Sequence, residues 1–441
     1  MIKRILYTLL IMFPVVASAQ INTDRVMAIG RNALYFEDYV LSIQYFNQVI
    51  NAKPYLSDPY FYRGLAKINL DDFQGAESDC SEAIERNPFV VSAYQVRGLA
   101  RIQQNNFAGA IEDYTKALEF DPENIGVWHN MALCRIRQED YKGAKNDLDK
   151  LIAISPRYTK AYLMRGEVDL KQKDTLAAEK DFGKAIEIDR YDADTWASRA
   201  ILRLQQQRYK DAEADFDHAI RLSTRNSGVY INRALARYHQ NNLRGAMSDY
   251  DIALDIDPNN FIGHYNRGLL RAQVGDDNRA IQDFNFVIEM EPDNMMAIFN
   301  RGLLLDQTGD YKGAIKDYST VINEYPNFLL GYQYRAQARR KIGDVKGADA
   351  DEFKVLKAQL DKQNGVDPNK QTADNTENNK TRKKSDKNMN NYRKIVVADN
   401  EEGEEKYKSD YRGRVQDKNV NIVPQPMFVL TYYEKHDDVT V

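Results

Sequence analysis

Apolar and polar residues alternate with a spacing that predicts pairs of amphipathic helices along most of the chain. In residues 295–328, apolar side chains recur every three or four residues, as with Ile298 on one predicted helix and Ile315 and Val321 on the next. This spacing places them on one face of each helix. Gly309 lies between the two periodic stretches and marks a turn. The segment therefore predicts a helical hairpin.

The hairpin pattern recurs with a period of 34 residues. Seven prolines occupy the same place in successive periods: Pro54, Pro88, Pro122, Pro156, Pro258, Pro292 and Pro326. Arg190 and Thr224 fill the two places that lack proline. Such a period indicates stacked helix–turn–helix repeats. The predicted repeats are 23–56, 57–90, 91–124, 125–158, 159–192, 193–226, 227–260, 261–294, 295–328 and 329–362. Positions 1 to 34 below are counted from the start of each repeat.

Small and aromatic residues recur at fixed positions of the repeat. Position 8 is always Gly or Ala, and position 20 is Ala in all repeats except the first, which has Ser42. Position 24 is aromatic in seven repeats: Phe46, Tyr114, Phe182, Phe216, Tyr250, Phe284 and Tyr318. Cys80, Leu148 and Glu352 depart from this rule. The pattern resembles the tetratricopeptide repeat family. The resemblance implies an all-α, right-handed superhelical solenoid of about ten hairpins, whose first helices line a concave groove that binds a protein or peptide.

Two charged positions also recur. Position 7 carries Arg63, Arg97, Arg165, Arg199, Arg233, Arg267, Arg301 and Arg335, and position 23 carries Asp79, Asp113, Asp147, Asp181, Asp215, Asp249, Asp283, Asp317 and Asp351. The first repeat lacks both charges. We predict a structural ladder of Arg–Asp pairs that ties the two helices of one repeat, or of adjacent repeats, because a guanidinium matches a carboxylate bidentately. An anion-binding stripe of arginines is the alternative, and it is disfavoured because each arginine has its own aspartate.

The first helices also leave polar and aromatic residues for the predicted groove. The candidate peptide-binding residues are Asn130, Asn232, Asn266, Asn300, Tyr62, Tyr265 and Phe299. An asparagine side chain carries a donor and an acceptor, so a row of them can pair with the backbone of an extended peptide. Leu235, Leu269 and Leu303 at position 9 add an apolar floor. The alternative is that these asparagines only face water.

No pattern in the sequence indicates catalysis, a cofactor or a metal site. The five histidines lack the spacing of a helical metal pair, and no phosphate-binding loop or nucleophile elbow is present. His264 stands where most repeats have an aromatic residue, so we expect it to be packed. The net charge of −4 argues against a general nucleic-acid binder. Cys80 and Cys134 lie two repeats apart, and we expect two buried thiols without a disulfide.

The N-terminal residues 1–19 have the form of a signal peptide. Lys3 and Arg4 precede an apolar stretch, and Ala17-Ser18-Ala19 forms a small-residue cleavage site before Gln20. An uncleaved anchor is the alternative, although the stretch is short for a membrane span. We expect an exported protein in a periplasm or outside the cell, with no transmembrane segment after the signal is removed.

Composition changes after the last repeat. Residues 363–391 are rich in Asn, Lys, Asp and Thr and are predicted to form a disordered linker. Residues 392–441 are β-prone, with a possible strand from Tyr392 to Asp399. This C-terminal segment is expected to dock on the chain itself, to add a strand to a partner, or to cap the last repeat.

These observations favour a non-enzymatic scaffold that binds a protein or peptide segment in its concave groove. The resemblance and the signal peptide imply a role in assembling cell-envelope machinery. The alternative is a glycan-associated envelope adaptor, with the asparagine and aromatic residues contacting sugar.

Overall fold

The computed structural model describes residues 22–222, 225–363 and 388–398. These residues form twenty α-helices, one 3₁₀ turn and no strand. From residue 22 to 171 and from residue 193 to 363, each helix packs mainly against its neighbours along the chain. The predicted all-α stack of helical hairpins is thus confirmed.

The chain divides into two compact bodies, which we describe separately. Residues 22–178 form the N-terminal body, and the described residues from 179 to 398 form the C-terminal body. The first helices of the ten repeats are α1 (Thr23–Tyr35), α3 (Asp58–Asn69), α5 (Val91–Gln103), α7 (Ile125–Arg137), α9 (Thr159–Lys171), α11 (Ala193–Gln205), α13 (Ser227–His239), α15 (Phe261–Gln273), α17 (Met295–Thr308) and α19 (Leu329–Lys341). The second helices are α2 (Tyr39–Ala52), α4 (Phe73–Arg86), α6 (Phe107–Phe120), α8 (Tyr141–Ile154), α10 (Thr175–Ile188), α12 (Tyr209–Arg221), α14 (Leu243–Ile256), α16 (Asp277–Met290), α18 (Tyr311–Glu324) and α20 (Val345–Gln363).

In several hairpins the glycine at position 8 packs directly against the aromatic ring at position 24. A methyl group added to Gly302 would come within 2.9 Å of the Tyr318 ring, and one added to Gly98 within 2.8 Å of the Tyr114 ring. Both rings are fully buried. The backbone of the first helix therefore touches the face of the second, which a larger residue at position 8 would prevent.

The turn inside each hairpin has one fixed geometry. The residue at position 15 adopts a left-handed conformation in every repeat, and in seven repeats it is not glycine: Glu37, Asp71, Asn105, Glu139, Lys173, Gln207 and Asn241. At Gln207 the next amide, on Arg208, donates back to the carbonyl of Arg203 at 2.8 Å. This six-to-one bond is that of a Schellman cap, which ends the first helix sharply. In most repeats the following residue caps the second helix, as Asp310 accepts from the amide of Gly313.

Several sequence predictions fall outside the described residues. The signal peptide at 1–19, most of the linker at 363–391 and residues 399–441 of the C-terminal segment are among them. No strand forms at 392–398, the described part of the possible strand. The amides and carbonyls of Val396 and Ala398 pair with asparagine side chains instead of a neighbouring strand.

Candidate functional site

Three asparagines form a row on successive first helices of the C-terminal body. Asn232, Asn266 and Asn300 occupy position 6 of α13, α15 and α17. Because the repeats share one register, the three side chains point from equivalent faces of their helices. Their side chains are buried, with exposed fractions of 0%, 0% and 5%. These three asparagines therefore do not simply face water, which was the alternative to a role in the groove.

Residues 388–398, here called the groove segment, cover this row. The Asn266 side-chain oxygen accepts from the Val396 amide at 2.8 Å, and the Asn266 nitrogen donates to the Val396 carbonyl at 2.7 Å. Asn232 makes the same reciprocal pair with Ala398, at 2.9 Å in both directions. Each asparagine thus satisfies both backbone groups of one residue, as a neighbouring strand would.

The third asparagine holds the other end of the groove segment. The carbonyl of Tyr392 accepts hydrogen bonds from the Asn300 nitrogen and from the Tyr265 hydroxyl, the latter at 2.8 Å. Residue number in the groove segment therefore rises as repeat number falls. The segment runs antiparallel to the order of the repeats.

Apolar residues beside the asparagines receive side chains of the groove segment. The Tyr392 ring meets the Phe299 ring edge-on, with centroids 4.8 Å apart. Ile395 is buried in one cluster with Leu235, and Leu269 packs against that cluster. Ala398 is buried in a cluster that contains Ile231 and Tyr250. We call the surface formed by Asn232, Asn266, Asn300, Tyr265, Phe299, Leu235 and Leu269 the asparagine groove.

The remaining two candidate groove residues belong to the N-terminal body. The Tyr62 ring stacks on the Phe46 ring, with centroids 5.7 Å apart. Asn130 is buried, and its nitrogen lies 3.5 Å from the Tyr114 hydroxyl. Position 6 holds Met164 and Ser198 in the repeats between Asn130 and Asn232, so these repeats lack the asparagine.

The recurring arginines and aspartates pair within each hairpin. Arg233 binds both oxygens of Asp249 through Nε and Nη2, at 2.9 and 2.6 Å. Two-point contacts of this kind include Arg63–Asp79, Arg97–Asp113, Arg199–Asp215, Arg233–Asp249, Arg267–Asp283, Arg301–Asp317 and Arg335–Asp351. The third nitrogen of Arg233 reaches Asp217 in the preceding repeat at 2.7 Å. One arginine therefore connects three helices.

Arg165 of the fifth repeat donates to Asp149 of the preceding repeat at 2.6 Å, as Arg233 donates to Asp217. The fourth repeat departs from this arrangement. Asp147, whose repeat has Met131 in place of the arginine, accepts from Arg135 at 2.7 Å.

Arg135 belongs to a second row of cations at position 11, which the sequence analysis missed. This row binds the same aspartates from one turn further along the first helix, and it comprises Lys67, Arg101, Arg135, Arg203, Arg237, Arg271 and Arg339. Comparing the repeats at position 11 would have revealed it. Six aspartates bind a cation from both rows: Asp79, Asp113, Asp215, Asp249, Asp283 and Asp351. These cations are committed to carboxylates, which argues against an anion-binding stripe.

Burial and pairing compete in setting the acidity of these aspartates. Burial raises the pKa of Asp113 above its usual value, and the hydrogen bonds and charge of Arg97 do not fully offset it. Burial acts in the same direction at Asp283, but hydrogen bonds from His264 and Arg267 outweigh it and lower the pKa of Asp283. The extra partner, His264, lies 2.9 Å from Asp283.

His264 is packed, as expected from its position. Its other ring nitrogen lies 3.0 Å from the carbonyl of Pro258, the residue that closes the preceding repeat. The same contact is made by Tyr60, Tyr162 and Trp128, whose side chains donate to Pro54, Pro156 and Pro122. The ring at position 4 thus joins successive repeats through the carbonyl that closes each one.

The described residues contain no group of three His, Cys, Asp or Glu side chains arranged to hold a metal. Cys80 and Cys134 are buried free thiols, and burial raises the pKa of Cys134 to about 12. Among the helices of the described segments, none is long and apolar enough to cross a membrane.

Comparison with family models matches five stretches of the chain. A model described as TPR repeat matches residues 98–134, and models described as Tetratricopeptide repeat match residues 125–158, 159–192, 198–261 and 265–327. The chain belongs to the tetratricopeptide repeat family. These repeats support a protein–protein interaction scaffold, and the family is typically non-enzymatic.

Solved structures with similar folds include tetratricopeptide repeat proteins. One from Parabacteroides merdae is 21% identical, covers 56% of this chain and 98% of its own, and gives a TM-score of 0.45. The C-terminal part of a repeat protein from Cytophaga hutchinsonii is 18% identical, with coverages of 54% and 97% and a TM-score of 0.45. PilF from Pseudomonas aeruginosa is 20% identical, with coverages of 46% and 92% and a TM-score of 0.40. No curated protein sequence matches.

Proposed function

We propose that this protein is an interaction scaffold whose asparagine groove holds an extended polypeptide segment by its backbone. The observation that carries the proposal is the reciprocal pairing of Asn266 with Val396 and of Asn232 with Ala398. Amide and carbonyl groups are common to all polypeptides, so the same side chains fit a segment of a partner protein.

In the free protein the groove segment acts as an internal ligand. It docks on the chain that carries it, and a partner segment replaces it in the complex. The contacts of Tyr392 with Asn300 and Tyr265 support this proposal, because they anchor the segment at a second place in the groove. Tethering to the same chain raises the effective concentration of the segment to the millimolar range.

The experiment uses the full chain with residues 388–398 replaced by Gly and Ser over the same length, here called the vacated variant. A labelled synthetic peptide of residues 388–398 is titrated in, and binding is followed by fluorescence anisotropy. Asn266→Ala in the vacated variant removes two hydrogen bonds and leaves two peptide groups unpaired. It should weaken binding by about 1–3 kcal/mol, roughly five- to 150-fold.

Asn130→Ala is the matched control, because Asn130 is the same residue at the same position of another repeat. It should leave the affinity unchanged. Absence of binding to the vacated variant, or equal loss in both asparagine variants, would refute the proposal.

A glycan-binding adaptor is the alternative function, since amide and aromatic side chains also bind sugars. The described amides of Asn232 and Asn266 face peptide groups, which favours a polypeptide. Crosslinking mass spectrometry on envelope fractions distinguishes the two. Polypeptide crosslinks at the groove that polysaccharide does not compete away would support the scaffold, and competition by polysaccharide would support the adaptor.

The cellular setting proposed for this scaffold is the bacterial envelope, where it helps to assemble surface or secretion machinery. The basic start, apolar stretch and Ala17-Ser18-Ala19 site of residues 1–19 support export. N-terminal sequencing of the protein from its host should give a chain that begins at Gln20. A chain that retains Met1 and stays in the cytoplasm would contradict the proposal.

A further inference from the structure

The groove segment buries its side chains with a period of three residues. Met389, Ile395 and Ala398 are buried, at 5%, 8% and 3% exposure, and Tyr392 between them is half-buried against Phe299. Between these anchors Asn391 is half-buried, and the other residues, including Arg393, Lys394 and Val397, are exposed. A half-buried β-strand would bury every second residue, so this spacing is a property of the groove and its ligand together.

Each anchor meets a different environment. Met389 is buried and Tyr392 partly buried in the aromatic cluster that contains Phe299 and Tyr265. Ile395 lies among aliphatic residues that include Leu235. Ala398 is enclosed beside Ile231 while the Asn232 amide holds both of its backbone groups, so the backbone lies close to the groove wall there.

We infer that the asparagine groove selects a partner polypeptide by a three-residue rule. The partner segment carries a large apolar residue, then an aromatic residue, a branched aliphatic residue and a small residue, each separated by two solvent-facing residues. It runs antiparallel to the repeats. The inference rests on the proposed function, and it adds the class of sequence that the groove accepts.

Side-chain selection at these anchors follows from the fixed backbone. The asparagine pairs set the register of the ligand, because Val396 and Ala398 each occupy one asparagine and cannot slide by one residue without losing both pairs. Burial then requires an aliphatic side chain one residue before the Asn266 pair and a small one at the Asn232 pair. The positions of Val396 and Val397, 41% and 38% exposed, carry no such requirement.

The test titrates variant peptides of residues 388–398 into the vacated variant of the full chain. We expect Tyr392→Ala, Ile395→Ala and Ala398→Leu each to weaken binding about tenfold or more. Val396→Ala and Val397→Leu are controls that shorten or lengthen an exposed side chain, and each should alter the affinity less than threefold. Circular dichroism confirms that the vacated variant is folded.

The outcomes separate the inference from the proposed function. Binding that depends on Asn266 but is equally insensitive to Ile395→Ala and Val397→Leu would overturn the three-residue rule and leave the proposed function standing. Tight binding of Ala398→Leu would overturn the small-residue requirement. Failure of the parent peptide to bind would overturn both.

Discussion

At the residue scale, position 15 of the repeat keeps one backbone conformation although its side chain varies. Position 15 adopts the left-handed conformation in all ten repeats, yet its residue is Gly in only three of them, Gly275, Gly309 and Gly343. Sequence alone predicts a left-handed residue at the glycines. It gives no such signal at Glu139, Lys173 or Gln207, where the geometry is imposed by the two helices that the turn joins.

The strain at this position is testable by exchange with glycine. Gln207 is exposed and has a φ of 61°. Relief of left-handed strain is worth about 1–2 kcal/mol, and the greater freedom of glycine in the unfolded chain takes back about 0.4–1 kcal/mol. We expect Gln207→Gly to raise the free energy of unfolding by about 0.5–1 kcal/mol in urea titrations.

Gly343→Ala is the reverse control for that exchange. Gly343 occupies the same position with a φ of 81°, and an added methyl group would meet no atom within 4 Å. Its cost, about 1 kcal/mol, is therefore purely conformational. If Gln207→Gly and Gly343→Ala changed the free energy of unfolding in the same direction, strain at position 15 would be negligible.

Replacing a buried aspartate of the ladder should destabilise the fold far more than replacing an exposed aspartate. Asp249 has a 1% exposed side chain and binds both Arg233 and Arg237, whereas the side chain of Asp251 is 50% exposed and binds Arg267. Asp249→Ala leaves two half-buried guanidinium groups without their shared carboxylate. It should destabilise the fold by about 3–5 kcal/mol.

Asp251→Ala removes an exposed pair and should cost about 1 kcal/mol or less. Urea titration gives the two free energies, and hydrogen exchange shows whether α13 and α14 open first. If the two variants were equally stable, the ladder would contribute no more than a surface ion pair.

At the scale of helices, an ion pair joins successive repeats at four junctions, and its two charges are exchanged at one of them. Glu77–Arg101, Glu179–Arg203 and Glu213–Arg237 each link position 21 of one repeat to position 11 of the next. Lys145 and Asp169 occupy the same two positions with the charges exchanged. At these four junctions the two helices carry opposite charges, whichever helix carries the cation, whereas the other junctions have Ile or Met at position 21.

Charge exchange at this contact forms a double-mutant cycle. Lys145→Glu places a second carboxylate beside that of the buried Asp169 and should destabilise the N-terminal body by about 1–3 kcal/mol. Adding Asp169→Arg recreates the pair found in the other repeats and should restore stability to within about 1 kcal/mol of the parent chain. If the changes in free energy of unfolding caused by the two substitutions were additive in the double variant, the two side chains would not interact.

At the scale of the whole molecule, the sequence predicted the repeats but not the contacts between distant parts of the chain. Periodicity predicted the hairpins, and the repeated asparagines at position 6 predicted a surface suited to a peptide backbone. The sequence suggested that the C-terminal segment docks, but not where. The contacts of Asn232 and Asn266 with residues 398 and 396 span 166 and 130 residues. No local propensity encodes such a pairing, and the three-residue burial of the groove segment matches neither the α-helical nor the β-strand period.

The proposed self-docking makes the affinity of the intact protein for a peptide depend on its own groove segment. The tethered segment competes with any added peptide at millimolar effective concentration. The unchanged full chain should therefore bind the labelled peptide of residues 388–398 at least tenfold more weakly than the vacated variant. Ile395→Asp in the full chain places a charge among Leu235 and its apolar neighbours, and this should release the segment and recover most of the binding. Val397→Asp adds the same charge at an exposed position, so binding should stay as weak as in the parent chain. Equal peptide affinity in the parent, Ile395→Asp and Val397→Asp chains would mean that the groove is not held closed by its own segment.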